Sequence, residues 1–155
     1  MLRINHTFVG IVTSAPMTVI QSQSTSNPTA VAQAAAAAAL TGPQECVTEM
    51  AREFDRRRDL VVARLRAIPG VQITEPRGAF YAFPDVGAFL GRRGPDGPLE
   101  TTGQLATYLL RSAGVAVVPG EGFGAPRNVR LSYAASTAVL EDGLARLGRA
   151  LTGLG

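Results

Sequence analysis

The side chains in this sequence that can do polar chemistry are mostly arginines, and one of them sits where a strand would carry it. In NVRLSYA, residues 128–134, Val129, Leu131 and Tyr133 fall on one face of an extended chain, and Arg130 and Ser132 fall on the other. Periodicity alone assigns Arg130 to water or to a nearby carboxylate of the protein. All 15 basic residues are arginine, and there is no lysine. A chain without lysine forms no internal Schiff base and has no Walker-type phosphate lysine. His6 is the only histidine and has no Cys, Asp or Glu cluster near it in sequence, so neither a metal site nor a catalytic triad is indicated. Asp59, Asp85 and Asp96 stand at no paired spacing that would suit general acid–base work. The run PGEGFG, 119–124, resembles a phosphate-cradling loop, but it precedes a strand and lacks lysine, so it reads as a turn.

The composition narrows the class further. With 46% hydrophobic and 17% charged residues over 155 positions, the chain is an ordinary globular protein with enough length for a core. Its net charge of +3 invites a nucleic-acid reading. However, the densest basic run, REFDRRRD at 52–59, interleaves acids at helical spacing and has no aromatic stacking platform. That run reads as a solvated helix face. No apolar run approaches the roughly 20 residues that span a bilayer, and FVGIV near the N-terminus breaks too soon for a signal segment. A single Cys46 permits no disulfide framework, so a cytoplasmic setting is expected, with neither membrane nor nucleic acid as partner.

The elements that would position Arg130 follow from pattern and punctuation. Residues 1–20 read as strand or irregular structure. QSQSTSNP then leads into an alanine-rich helix, with Asn27 as N-cap and Pro28 at N1, ended by Thr41-Gly42-Pro43. A long amphipathic helix follows, with Val47, Met50, Phe54, Val61, Leu65 and Ile68 as its apolar stripe, stopping at Pro69-Gly70. VQIT (71–74), AFYAF (79–83) and VAVVPG (115–120) read as strands, and 87–102 as a surface excursion. TGQLATYLLRSAG forms a helix between them. Ser136 caps a final helix with Leu140, Leu144, Leu147 and Leu151 in register. Links as short as EPRG favour antiparallel pairing. The expected class is α+β, a mostly antiparallel sheet of about three to four strands packed against helices.

Taken in order, IQSQSTSNP, EMAREFDRRRD, EPRGAFYAFPD, AGVAVVPGEGFG and VRLSYA resemble the C-terminal portion of class I/II aminotransferases. These are fold-type-I pyridoxal-phosphate enzymes of the aspartate aminotransferase family. The likeness spans about residues 15 to 152 and is closest to a bacterial branch with a segment like SQSTS.P.

The resemblance implies a small domain at 69–155, a polar interface segment and linking helices at 21–68, and a remnant or replacement of the larger cofactor domain at 1–20. It implies that Arg130 grips the α-carboxylate of an amino-acid or 2-oxo-acid substrate, which suits a planar, permanently charged guanidinium. It also implies that Ser24 to Asn27 lie at a dimer interface, where Ser26 and Asn27 contribute to the partner's cofactor site; N-capping by Asn27 alone is the other reading. Phe80 and Tyr81 are implied near the substrate side of the cleft, with core packing as the alternative. LRINH at 2–6 matches a degraded form of the family's WR.GY motif, Arg3 lying 20 residues before Gln23, with Asn5 and His6 in place of Gly and Tyr. On that match Arg3 would hold the cofactor phosphate. Ser22 stands where another branch carries an Arg for a distal carboxylate. No catalytic residue is assigned, because the Schiff-base lysine is absent and pyridoxal phosphate cannot attach covalently to such a residue here. The expectation is a substrate clamp and part of a cleft wall, inactive alone. The other expectation is a non-catalytic or truncated chain pairing with a full-length homologue through 21–40.

Overall fold

The computed structural model describes residues 17–155, and the chain divides into two compact units, Met1–Gln44 and Glu45–Gly155. Arg3, Asn5 and His6 lie outside the described residues.

In the first unit, residues 17–24 form a helix, α1, where 17–20 were expected to be strand or irregular. The polar side chains that suggest a loop here bond back onto helical carbonyls. Ser22 Oγ donates to Val19 O (2.9 Å), Ser24 Oγ to Ile20 O (2.9 Å) and Thr25 Oγ1 to Gln21 O (3.1 Å). Ser26 turns the chain with φ +62°, and α2 runs over Ala30–Thr41. Its N-cap is Thr29, not Asn27: the Thr29 hydroxyl accepts from the Ala32 N–H at 3.2 Å, and the backbone stays extended at Thr29. Asn27 and Pro28 precede this cap, so Pro28 does not occupy the first helical position. The Gly42 N–H closes α2 on Ala38 O at 2.9 Å. Every residue from 17 to 41 is exposed.

The second unit opens with α3, Glu45–Arg66. Only the C-terminal half of its expected stripe is buried, at Val61 and Leu65; Phe54 is partly buried, while Val47 and Met50 are exposed. The charged face is solvated as expected, with Glu53 paired to Arg56 and Arg57, and Arg58 to Asp55 and Asp59. Hydrogen bonds from Arg56 and Arg57 hold the Glu53 carboxyl below its ordinary range.

The sheet is three-stranded and antiparallel in the order β1-β5-β4, with β1 at Tyr81–Ala82, β4 at Val118–Pro119 and β5 at Val129–Ser132. The strands are shorter than their apolar runs. At the first, Ala79 takes φ +58°, which ends extended backbone before Phe80. At the second, Pro119 has no N–H for the ladder and Gly120 begins a 3₁₀ turn, Gly120–Phe123. VQIT does not form a strand; its one pairing is an isolated bridge from Gln72 to Asp85. The 87–102 segment is not wholly a surface excursion. It holds a 3₁₀ turn, Gly87–Phe89, and a hairpin of β2 (Arg93–Gly94) with β3 (Gly97–Pro98), and it buries Phe89 and Leu99.

Helices α4 (Thr102–Ala113) and α5 (Thr137–Thr152) complete the unit. Thr101 and Gln104 form a capping box on α4, and Ser136 caps α5 as expected. Helix α5 packs on both α3 and α4, burying Leu140, Leu144, Leu147 and Leu151 against a core that includes Val61, Leu65, Leu105, Leu109 and Val129. Leu151→Ala should therefore lower the unfolding free energy by about 3 kcal/mol in urea titration. Val139→Ala, on the exposed side of the same helix, should change it by less than about 0.5 kcal/mol.

Candidate functional site

The alternation of β5 is realised residue by residue. Val129, Leu131 and, just beyond the strand, Tyr133 are 1%, 8% and 2% exposed on the core side, so Arg130 and Ser132 face away from it. The Arg130 guanidinium carbon lies 4.4 Å from the Tyr81 ring centroid and 4.7 Å from that of Phe123. Tyr81 comes from β1, whose register sets it opposite Ser132; Phe123 comes from the 3₁₀ turn after β4. Aromatic faces attract the cation but are not carboxylate acceptors, so the paired N–H donors of the guanidinium keep their capacity for an oxyanion. Among the described residues, no ion pair includes Arg130.

The rings are themselves held. Phe123 meets Phe83 edge-on, 5.9 Å between centroids, and Tyr81 lies 4.4 Å from Phe80, which continues to Phe54 at 6.3 Å. Tyr81 thus contacts Arg130, while Phe80 bridges Tyr81 to Phe54 and stays partly exposed. Tyr133 also meets Phe54, tilted with centroids 6.2 Å apart, and its hydroxyl donates to Ala79 O at 3.0 Å, tying the turn before β1 to the end of β5. Burial raises the Tyr133 hydroxyl above its ordinary pKa.

The 3₁₀ turn depends on close backbone approach. Gly120 donates to Asn128 O at 2.8 Å and accepts from Ala125 N at 3.0 Å. A Cβ there would stand 2.2 Å from Ala125 O and 2.4 Å from Asn128 O. PGEGFG is therefore a turn, as expected, and glycine is required at its entry. Gly120→Ala should cost about 2 kcal/mol or more, and Gly122→Ala, whose added Cβ would meet nothing within 4 Å, should be close to neutral; urea titration of the pair checks this.

Two charged side chains to which the sequence pattern assigned no role, Asp85 and Glu121, shape the loops around β5. The Asp85 carboxylate accepts from Gly87 N at 2.7 Å, from Arg127 Nε at 3.1 Å and from Arg127 Nη2 at 3.4 Å. Burial pushes its carboxyl upward, but the Gly87 N–H and the Arg127 guanidinium outweigh that and leave the pKa lowered. A carboxyl lowered in the folded state contributes stability above its unfolded pKa and loses it as pH falls through the folded value. Asp85→Asn should cost about 1 kcal/mol at neutral pH, and the difference from the unsubstituted chain should vanish in acid urea titrations. The second such residue is Glu121. Its carboxylate accepts from the Thr102 N–H at 2.9 Å, from the Thr102 hydroxyl and from the Gly103 N–H at 3.4 Å, and these bonds lower its pKa, the Thr102 hydroxyl first. Only the glutamate two positions before Phe123 was visible beforehand; its partner 19 positions upstream was not.

Ser26 and Asn27 lie together at the turn between α1 and α2, beside Ser22, in the first unit, whereas Arg130 belongs to the second. Among the described residues no group of three or more His, Cys, Asp or Glu could hold a metal, and no helix is long and apolar enough to cross a membrane.

The model of the family described as aminotransferase class I and II matches residues 9–147. The chain belongs to this family. It is 47% identical over 135 residues to an aspartate aminotransferase of Rhizobium meliloti (strain 1021), covering 86% of this chain and 33% of that protein. It is 45% identical over 139 residues to an aspartate/prephenate aminotransferase of Cereibacter sphaeroides, covering 89% and 35%. The crystal structure of the Rhizobium meliloti aspartate aminotransferase superposes with a TM-score of 0.84 at 45% identity, over 90% of this chain and 35% of that one. The aromatic aminotransferase of Pyrococcus horikoshii gives 0.77 at 36% identity, over 88% and 35%. The chain spans about a third of the length of the curated relatives it matches.

Proposed function

We propose that this chain forms the small, substrate-gripping part of an amino-acid aminotransferase, and that Arg130 receives the α-carboxylate shared by the amino acid and its 2-oxo acid. The observation that carries this reading is a guanidinium flanked by two aromatic rings and paired with no carboxylate among the described residues. A planar fork of donors matches a carboxylate in two parallel bonds and keeps its charge at every working pH.

Pyridoxal phosphate, the cofactor of this family, supplies the carbonyl that takes up and returns the amino group. The residues of this chain do not fit it as a resident group. There is no lysine to hold it. This chain's part is to bind and orient substrate. On this reading residues 69–155 are the small domain, 21–68 an interface segment with linking helices, and 1–20 a remnant of, or divergent replacement for, the end of the cofactor domain, with Arg3 toward the cofactor phosphate. Ser26 and Asn27 then serve a partner subunit's site in a cytoplasmic dimer. A second reading, a non-catalytic chain pairing with a longer homologue, draws on the exposure of Met17, Ile20, Val31 and Leu40 along the first unit.

The test is a titration of the 155-residue chain with propionate, followed at the assigned Arg130 Nε–H resonance. Propionate should shift it and propionamide should not, and Arg130→Lys, followed at the Tyr81 and Phe123 ring resonances, should weaken binding about tenfold. Equal responses to acid and amide would contradict the reading. Incubated alone with pyridoxal phosphate, aspartate and a 2-oxo acid, the chain should transfer no amino group in a coupled assay.

A further inference from the structure

Three bonds join the turn that carries Phe123 to the start of α4. Glu121 is the residue that makes them: its carboxylate takes the N–H groups of Thr102 and Gly103 and the hydroxyl of Thr102, which is completely buried. The first N–H groups of any helix lack partners within it, and a carboxylate suits the positive end of the helix dipole. The capping box on α4 satisfies the next position, with the Gln104 N–H bonded to Thr101 Oγ1 at 3.2 Å. Glu121 therefore completes the helix start from outside the helix. In the same turn, the backbone ahead of Phe123 is held to α4 through Glu121 and to Asn128, just before β5, through Gly120, and the backbone after it closes back on the turn through Gly124 N to Glu121 O and Ala125 N to Gly120 O, both at 3.0 Å. Phe123 is half-exposed; its ring meets Phe83 edge-on and lies against the Arg130 guanidinium.

We infer that Glu121 is a positioning residue for carboxylate binding: by tethering the 120–123 turn to the N-terminus of α4, it holds the Phe123 ring on the Arg130 guanidinium and keeps that cation in its receiving pose. This rests on the assignment of Arg130 to substrate carboxylate, yet the link from Glu121 to Arg130 can be tested without it. Removing the tether frees the turn, lets the ring leave the cation, and returns to Arg130 the rotamer freedom that binding must then remove.

Nuclear magnetic resonance of the 155-residue chain reads this directly, because two flanking rings move the Arg130 δ-methylene protons upfield. Phe123→Leu calibrates the Phe123 share of that displacement. Glu121→Ala should lose a comparable share and weaken propionate binding about threefold, the size of an exposed cation–π contact. Glu121→Gln, which keeps an oxygen for the Thr102 N–H, should recover most of the displacement. Thr102→Val, which removes the hydroxyl donor at similar shape, should lose part of it and carries the test should Glu121→Ala fold poorly. Amide resonances of β1 and α5 should stay in place throughout, which a general loosening of the unit would not allow. Arg130 resonances unmoved by both Glu121→Ala and Thr102→Val would overturn the inference. Absence of propionate binding in the unsubstituted chain would instead overturn the carboxylate assignment, leaving the ring displacement to decide the role of Glu121.

Discussion

Everything in the second unit is arranged around the central strand β5, whose side chains must alternate. A strand with neighbours on both edges cannot slip by one residue without moving its whole apolar set out of the core. Val129, Leu131 and Tyr133 are all nearly inaccessible, so the register that buries them also fixes Arg130 on the opposite face. The hydrophobic effect, acting on three residues, thereby places a cation that it does not itself touch.

A placed cation still has to be kept from collapsing onto the protein's own acids. The two carboxylates that the structure sets near β5's loops are both occupied: Asp85 by Arg127 and the Gly87 N–H, Glu121 by the start of α4. Each builds loop geometry and is spent on it. Aromatic rings then occupy the ground beside Arg130, and they hold a guanidinium without neutralising it. The combination leaves Arg130 beside two rings and in no ion pair among the described residues, which is what the proposed carboxylate site requires.

How much of this was legible beforehand depended on whether the signal was periodic or tertiary. The alternation at 129–133 and the leucine register of α5 are visible in the sequence because burial imposes periods of 2.0 and 3.6 on it. Strand lengths were not, since Val71–Thr74 looks as β-prone as Val129–Ser132, and only pairing decides which of them enters a ladder. The N-cap of α2 lies at Thr29 and not at Asn27, two residues of cap-forming type that only the bond from Ala32 N tells apart. The polar run 21–25 turned out helical because its hydroxyls return to their own helix, a local option that composition conceals. Glu121 was illegible for a plainer reason: its partner is 19 residues away and the contact exists only after α4 has docked. The family motifs suggested the role proposed for Arg130, whereas the two rings beside it had to be seen in three dimensions.

The central claim is that Arg130 waits between two rings for a carboxylate that the protein does not supply. The most direct measurement is a crystal structure of the chain grown with propionate at high resolution. It should show one carboxylate bridging two guanidinium nitrogens at about 2.8 Å, with Tyr81 and Phe123 still against the cation. An Arg130 turned away from both rings, or paired with an Asp or Glu of its own chain, would contradict it.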